Sequence, residues 1–253
     1  MFVQERQKKI IDLLEENGRV LVRDLSMRFS VTEDCIRKDL AALEKNSLLK
    51  RVYGGAVTER INTHQLKAEQ RKDTNVAQKK IIAKKALELI KTGDTIFLDI
   101  STVNVELARL LLNKKIKVNV ITNMIDIMNL LAAHKYAEMT FIGGTLDFAG
   151  DGFIGGLANG LIDKLHFDAA FMGAVGIDIH KNAVYTYKPE DGLTKKKAVD
   201  SADKAYILAE NEKFMRSGNF LYASLNDFIA VVTEKPLSRQ AAKKIKEYRI
   251  KNL

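Results

Sequence analysis

The 253-residue chain has a single cysteine, Cys35, so an internal disulfide is excluded. Its four histidines are scattered and form no Cys/His group at metal-ligand spacing, so a structural zinc site is excluded too and no cofactor is called for. Apolar runs of about eighteen residues are missing. The first nine residues, Met1 to Lys9, turn polar where a leader peptide needs an apolar stretch. Secretion and membrane spanning are therefore not expected, and a cytoplasmic protein is. Hydrophobic residues at 46% and charged residues at 29% give an ordinary globular composition, and the length favours two domains or one large domain with an appendage.

The charge is uneven. The chain carries a net +9, and residues 60 to 85 hold eight basic side chains against two acidic ones. From Lys235 to Leu253 seven basic residues face only Glu247, whereas the first 59 residues are nearly balanced, with eleven basic and ten acidic. Bulk charge thus admits an anionic partner without selecting one, and any nucleic-acid role for the N-terminus must rest on how its side chains are arranged. Ser238 to Tyr248 reads as a solvated amphipathic helix.

Apolar spacing lays out the N-terminal region. Ile10, Leu13 and Leu14 mark a helix over Gln4 to Glu16, stopped at Asn17-Gly18. Val22, Leu25 and Phe29 mark a second helix over Val20 to Phe29. After a short turn, Thr32 caps a third, with Glu33 and Asp34 in its first turn and Ile36, Leu40 and Leu43 along one face. Leu48 to Val57 reads as a strand, a glycine turn and a return strand, which is a wing. This is a winged helix-turn-helix over residues 1–58, with the helix-turn-helix itself at about 20–39.

Residues 59–75 lose both apolar periods and read as a basic linker, whose Lys67, Arg71 and Lys72 are candidates for contacts to phosphate. From 76 to 253 short apolar runs alternate with helical patterns. The runs are Thr95 to Asp99, Val118 to Thr122, Met139 to Ile142, Ala169 to Met172, Tyr206 to Ala209 and Ile229 to Thr233. That texture predicts an α/β domain built on a parallel sheet covered on both faces.

The third helix must turn its polar face to the major groove if the module binds DNA. Glu33, Asp34, Arg37 and Lys38 lie on or near that face, and Arg37 can reach a guanine edge with both arms of its fork. Arg51 and the Gly54-Gly55 turn are placed to meet backbone phosphates. Cys35, on the same helix, is expected to be a packed small residue.

The run Arg19 to Leu25, then Val31-Thr32-Glu33-Asp34-Cys35-Ile36-Arg37-Lys38-Asp39-Leu40 and Leu48 to Ala56, resembles the DeoR family of bacterial transcriptional regulators. That family carries a Ser/Thr-x-x-Thr-Ile-Arg-Arg-Asp-Leu recognition helix followed by an Arg-x-x-Gly-Gly-Ala wing. Here Cys35 replaces a threonine and Lys38 the second arginine, which keeps a phosphate contact but loses the bidentate fork. The resemblance continues through Arg71, Asn75, Lys79 and Ile82-Ala83. It implies a sensor domain similar to the ribose-phosphate isomerase and sugar-phosphate deaminase fold, with a phosphorylated sugar or related metabolite as effector.

In an open parallel sheet a ligand sits at the carboxyl ends of the strands, where helix N-termini offer N–H groups to an anion. The corners there are Asp99, Ser101 and Thr102; Thr122 and Asn123; and Gly143 and Gly144, which open a glycine-rich loop as far as Gly156. Gly176 is a further candidate. Lys213 matches the lysine of the family's Asp-x-Ser-Lys motif, and Asp191 with Lys195 falls where the family has an acid and a lysine on one helix. Five departures cluster in the same region: Ser101 for a glycine, Val103 for a hydroxyl residue, Val175 for an acid, Ala183 for a glycine and Glu210 for an aspartate.

The reading favoured is a repressor of a carbohydrate-metabolism operon that binds double-stranded operator DNA as a homodimer or higher oligomer, responds to a small phosphorylated metabolite and is not an enzyme. The alternatives are a sugar-phosphate isomerase or deaminase using Asp99, Glu190, Asp191 or Glu210 as a base, and an RNA-binding or scaffolding protein.

Overall fold

A computed structural model describes residues 2–46, 48–57, 72–134, 138–148 and 151–253. The chain divides into two compact units, Met1–Ile61 and Asn62–Leu253.

In the first unit, helix α1 (Val3–Asn17) is followed by strand β1 (Arg19–Leu21), helices α2 (Val22–Phe29) and α3 (Glu33–Lys45), and the wing strands β2 (Lys50–Val52) and β3 (Gly55–Val57). Ile10, Leu14, Leu25, Ile36, Leu40, Leu43 and Leu49 meet in one buried cluster, as their helical spacing requires. The second helix starts two residues later than its apolar spacing suggests. Val20 belongs instead to β1, which pairs antiparallel with β3 in a sheet of order β1-β3-β2. The Val22 N–H also donates to the Gly54 carbonyl at 2.9 Å, so long-range pairing wins over local helical preference. The wing needs both of its glycines. Gly54 has φ +78°, and a Cβ on Gly55 would stand 2.0 Å from the Val20 carbonyl oxygen.

The second unit opens with α4 (Val76–Leu87) and is organised by a seven-stranded sheet whose neighbours all run parallel. Its strands are β4 (Thr95–Leu98), β5 (Asn119–Thr122), β6 (Met139–Phe141), β9 (Ala169–Gly173), β12 (Ala205–Leu208), β14 (Ala230–Val232) and β15 (Lys251–Asn252), in the order β15-β14-β12-β9-β4-β5-β6. Alternation divides the apolar residues between two faces. Ile96, Leu98, Val120, Phe171, Leu208 and Val232 pack against α4, α5 (Thr102–Lys114) and α6 (Ile125–Ala133). Phe97, Ile121, Ala170, Met172, Ile207 and Val231 pack against α7 (Gly156–Ile162), α8 (Pro189–Asp200) and α9 (Arg239–Glu247).

Two smaller features add to the sheet. The stretch after Gly144, expected as a glycine-rich loop, contains the antiparallel pair β7 (Thr145–Asp147) and β8 (Gly152–Ile154). An antiparallel sheet β10 (Gly176–Asp178), β11 (Ala183–Thr186) and β13 (Phe220–Ala223) has the order β10-β11-β13. No helix among the described residues is long and apolar enough to cross a membrane.

Candidate functional site

Two places in the chain gather residues singled out from the sequence, one in each unit. In the first, the Thr32 hydroxyl accepts the Cys35 N–H at 3.3 Å and so caps α3. Glu33, Asp34, Arg37 and Lys38 are exposed along it. Arg37 reaches back along its own helix, 2.7 Å from Asp34 Oδ1 and 2.5 Å from Glu33 Oε2. These pairs are solvent-exposed, hence weak and readily exchanged for another acceptor. Cys35 is exposed as well, which corrects its expected packing: Ile36, Asp39, Leu40 and Leu43 take the inward face. In the wing, Arg51 is held by Glu44, through its N–H at 2.9 Å and its Nε at 2.7 Å, and these contacts draw the Glu44 carboxyl below its usual range. Tyr53, at the tip beside Gly54, is fully exposed.

What the sequence did not single out is Asp39. It turns inward, and Arg6 on α1 meets it with two hydrogen bonds of 2.5 and 3.2 Å while both side chains are buried. An acid on the apolar face of a helix was the available signal. This pair fixes α3 to α1.

The second place is a cavity of about 300 Å³ at the carboxyl ends of β4, β9 and β12. Of the residues expected there, Ser101, Thr102, Asp191, Lys195 and Lys213 line it. Asp99 lies behind them, nearly sealed, and contacts Lys195 Nζ while accepting the Gly173 N–H at 2.9 Å. Lys195 Nζ also stands 3.7 Å from Asp191 Oδ1 and 5.9 Å from the centre of the Tyr222 ring. Burial pushes the Asp191 carboxyl up, against the pull of Lys195. The Thr186 hydroxyl donates to its other oxygen. Burial, and then Asp99 and Asp191, hold the Tyr222 phenol well above its ordinary value, while its hydroxyl donates to the Gly173 carbonyl at 2.9 Å.

The other expected residues do not line this cavity. Thr122 spends its hydroxyl on the Leu98 carbonyl at 2.7 Å, and the Asn123 amide donates to the Phe153 carbonyl at 2.8 Å. Gly143 and Gly144 join β6 to β7, and Gly176 opens β10. In their place the fold brings in Thr74, Asn75 and Lys79 from the start of α4, Asp147 from β7, and Lys188 and Arg216. Lys188 is 2.6 Å from Asp147, and Arg216 is 2.9 Å from Glu212. Val175 and Glu210, two of the departures, line the wall; Ala183 is buried in β11.

Most of the basic segment 59–75, including Lys67 and Arg71, lies outside the described residues. Lys72 is described, and its Nζ sits on Asp126 rather than facing solvent alone.

The sequence profile of the DeoR-like helix-turn-helix domain matches residues 6–61, and that of the DeoR C-terminal sensor domain matches residues 74–235. The chain belongs to the DeoR family. It is 32% identical over 251 residues to the uncharacterized HTH-type transcriptional regulator YulB of Bacillus subtilis, covering 99% of this chain and 96% of that one. It is 29% identical to the lactose phosphotransferase system repressor of Lactococcus lactis, over 97% and 96% of the two chains. Among solved structures it is similar to ribose 5-phosphate isomerase A of Methanocaldococcus jannaschii, with 18% identity, 55% of each chain covered and a TM-score of 0.42. This DeoR-family chain is thus a helix-turn-helix transcriptional regulator with a sensor domain, and the isomerase or deaminase alternative is set aside.

Proposed function

We propose that this regulator represses a carbohydrate-metabolism operon, reading its operator with α3 and the wing, and that the cavity in its second unit binds a phosphorylated sugar as effector. The observation that carries the effector reading is the lining itself. Lys79, Lys188, Lys195, Lys213 and Arg216 supply cations for a phosphate. Asp147, Asp191, Glu210 and Ser101 supply acceptors and a hydroxyl for the alcohols of a sugar. A volume of about 300 Å³ is at the small end of ligand-binding cavities and suits a single sugar rather than a dinucleotide. The Lactococcus lactis relative, a repressor of a lactose phosphotransferase system, agrees with this class.

On DNA, Arg37 leaves Glu33 and Asp34 for a base edge, Thr32, Glu33, Asp34 and Lys38 border it, and Arg51 with the Gly54-Gly55 turn meets phosphate. One recognition helix reads few base pairs, so two copies bind half-sites about 34 Å apart, in the cytoplasm where the chromosome is.

The test is fluorescence anisotropy of the full chain on DNA from upstream of its own gene, against scrambled DNA, with and without a panel of pentose and hexose phosphates. Preference for the upstream DNA that shifts with one of these sugars is expected. Arg37→Ala should reduce that preference about 10- to 100-fold while leaving scrambled-DNA binding nearly unchanged. Equal binding to both DNAs overturns the operator reading, and indifference to every sugar phosphate overturns the effector reading.

A further inference from the structure

The pair β7 and β8 carries carboxylates that serve two different places. Asp147, at the end of β7, lines the cavity and is 2.6 Å from Lys188 Nζ. Asp151, just before β8, donates its N–H to the Asp147 carbonyl at 2.8 Å, yet its side chain meets Lys72 outside the cavity. Lys72 Nζ contacts Asp126 Oδ2, in the first turn of α6, and stands 3.6 Å from Asp151 Oδ2. Both Oδ2 atoms are sealed from solvent. Burial and the nearby Asp126 push the Asp151 carboxyl up, and Lys72 pulls against them, as expected for one ammonium between two carboxylates. The Asp151 backbone has a φ of +63°, and its carbonyl accepts the Ile125 N–H at 3.0 Å.

One contact and one closeness in sequence join this cluster to the cavity. A Cβ on Gly152 would lie 2.5 Å from Ile100 Cδ1, so the backbone beside Asp151 is pressed against a cavity wall residue. On the other side, Thr74, Asn75 and Lys79 line the cavity only a few residues after Lys72. The stretch 72–79 is therefore tied at one end to Asp126 and Asp151 and at the other to the ligand space, and in chain order it comes after the DNA-binding unit.

We propose that Lys72, Asp126 and Asp151 form a latch that reports occupation of the cavity to the segment leading to the DNA-binding unit, with the β7–β8 pair as its moving part. A ligand anion that draws Lys188 from Asp147 shifts β7 and, through the Asp151-to-Asp147 backbone bond, withdraws Asp151 from Lys72. The segment 72–79 is then held by Asp126 alone. A ligand works the latch by binding the withdrawn arrangement more tightly than the closed one. The proposal rests on the effector reading of the cavity for its physiological sense, but the contacts are testable without ligand or DNA.

Hydrogen exchange read by mass spectrometry on the full chain tests it. Lys72→Met should speed exchange roughly fivefold in peptides covering β7 and β8, the factor a partly exposed ion pair supplies. Asp147→Asn, made on the cavity side, should speed exchange in the peptide starting at Lys72 by a similar factor. Lys72→Arg should exchange like the wild type. Lys197→Met, which removes an exposed pair to Asp163 of 2.7 Å, should leave both regions unchanged. Changes confined to the mutated side of the latch overturn the proposal. In a second arm, Asp151→Asn, which leaves the segment held by Asp126 alone as the ligand does, should bind upstream DNA without ligand as the wild type does with its sugar phosphate, and should lose at least fivefold of the response to that sugar phosphate. A full response in that variant also overturns the latch. A wild type that answers to no sugar phosphate counts against the effector reading, while the exchange experiment still decides the latch.

Discussion

Replacing Lys195 with methionine removes the cation between Asp99 and Asp191 while keeping the length of the side chain. The two partners are almost sealed, with 5% of the Lys195 side chain and 2% of the Asp99 side chain exposed. Breaking a buried ion pair from one side costs about 3–5 kcal/mol, because a charge is left without its partner. Asp99 keeps the Gly173 N–H at 2.9 Å, so the low end, about 3 kcal/mol, is expected. In a unit spanning Asn62–Leu253, each kcal/mol moves the melting midpoint by about 2–4 °C, which gives a drop of about 6–12 °C in calorimetry of the full chain. The second variant decides the cause. Lys195→Met with Asp99→Asn removes both charges, leaves a neutral amide able to accept from Gly173, and should recover at least half of the loss. A single variant that costs under about 1 kcal/mol, or a double variant whose losses simply add, would refute the view that the pair acts as a unit.

The Arg6–Asp39 pair makes a parallel case in the first unit. Asp39→Asn should destabilise that unit by about 3 kcal/mol, seen as faster hydrogen exchange along α1 and weaker DNA binding, whereas unchanged exchange would mean the pair is dispensable. Asp191 gives a pH test. Its carboxyl is pushed up in the folded protein, so over the interval between its unfolded and folded values the native state holds the extra proton and stability falls as pH rises. Asp191→Asn cannot ionise. It should lose less stability than wild type as pH rises above the ordinary carboxylate range in denaturant titrations, and identical slopes would remove Asp191 from the account.

The sheet was legible because its strands are buried on both faces and read as apolar runs, with helical patterns between them. Lys251–Asn252 was not, since a two-residue polar edge strand has no apolar signal at all. Nor was β1, because a three-residue strand running straight into a helix has Val20 as its one buried residue, and only the pairing of Val20 with Ala56 and of Leu21 with Gly55 marks it as extended. At the cavity, Asp191 and Lys195 stand four residues apart on one helix and could be picked together. Lys79, Lys188 and Arg216 could not, because nothing local joins residues that the sheet brings to one end from distant parts of the chain. Thr122 and Asn123 illustrate the opposite difficulty. A hydroxyl and an amide at a strand end look alike in sequence whether they face a ligand or, as here, bond to the Leu98 and Phe153 carbonyls.

The all-parallel sheet also sets an order of events during folding. Ile96 in β4 pairs with Ala169 in β9, so the central strands meet only after a long intervening stretch of chain has been organised. The first unit closes over shorter spans, such as Arg19 with Val57 and Arg6 with Asp39. Local contacts form fast and distant parallel pairings slowly. Each newly made molecule therefore passes through an interval in which its DNA-reading half is native and its sensing half is not. During that interval the cell must tolerate a binder without its control, or bury the exposed strand edges of the unfinished half before they pair with a neighbour.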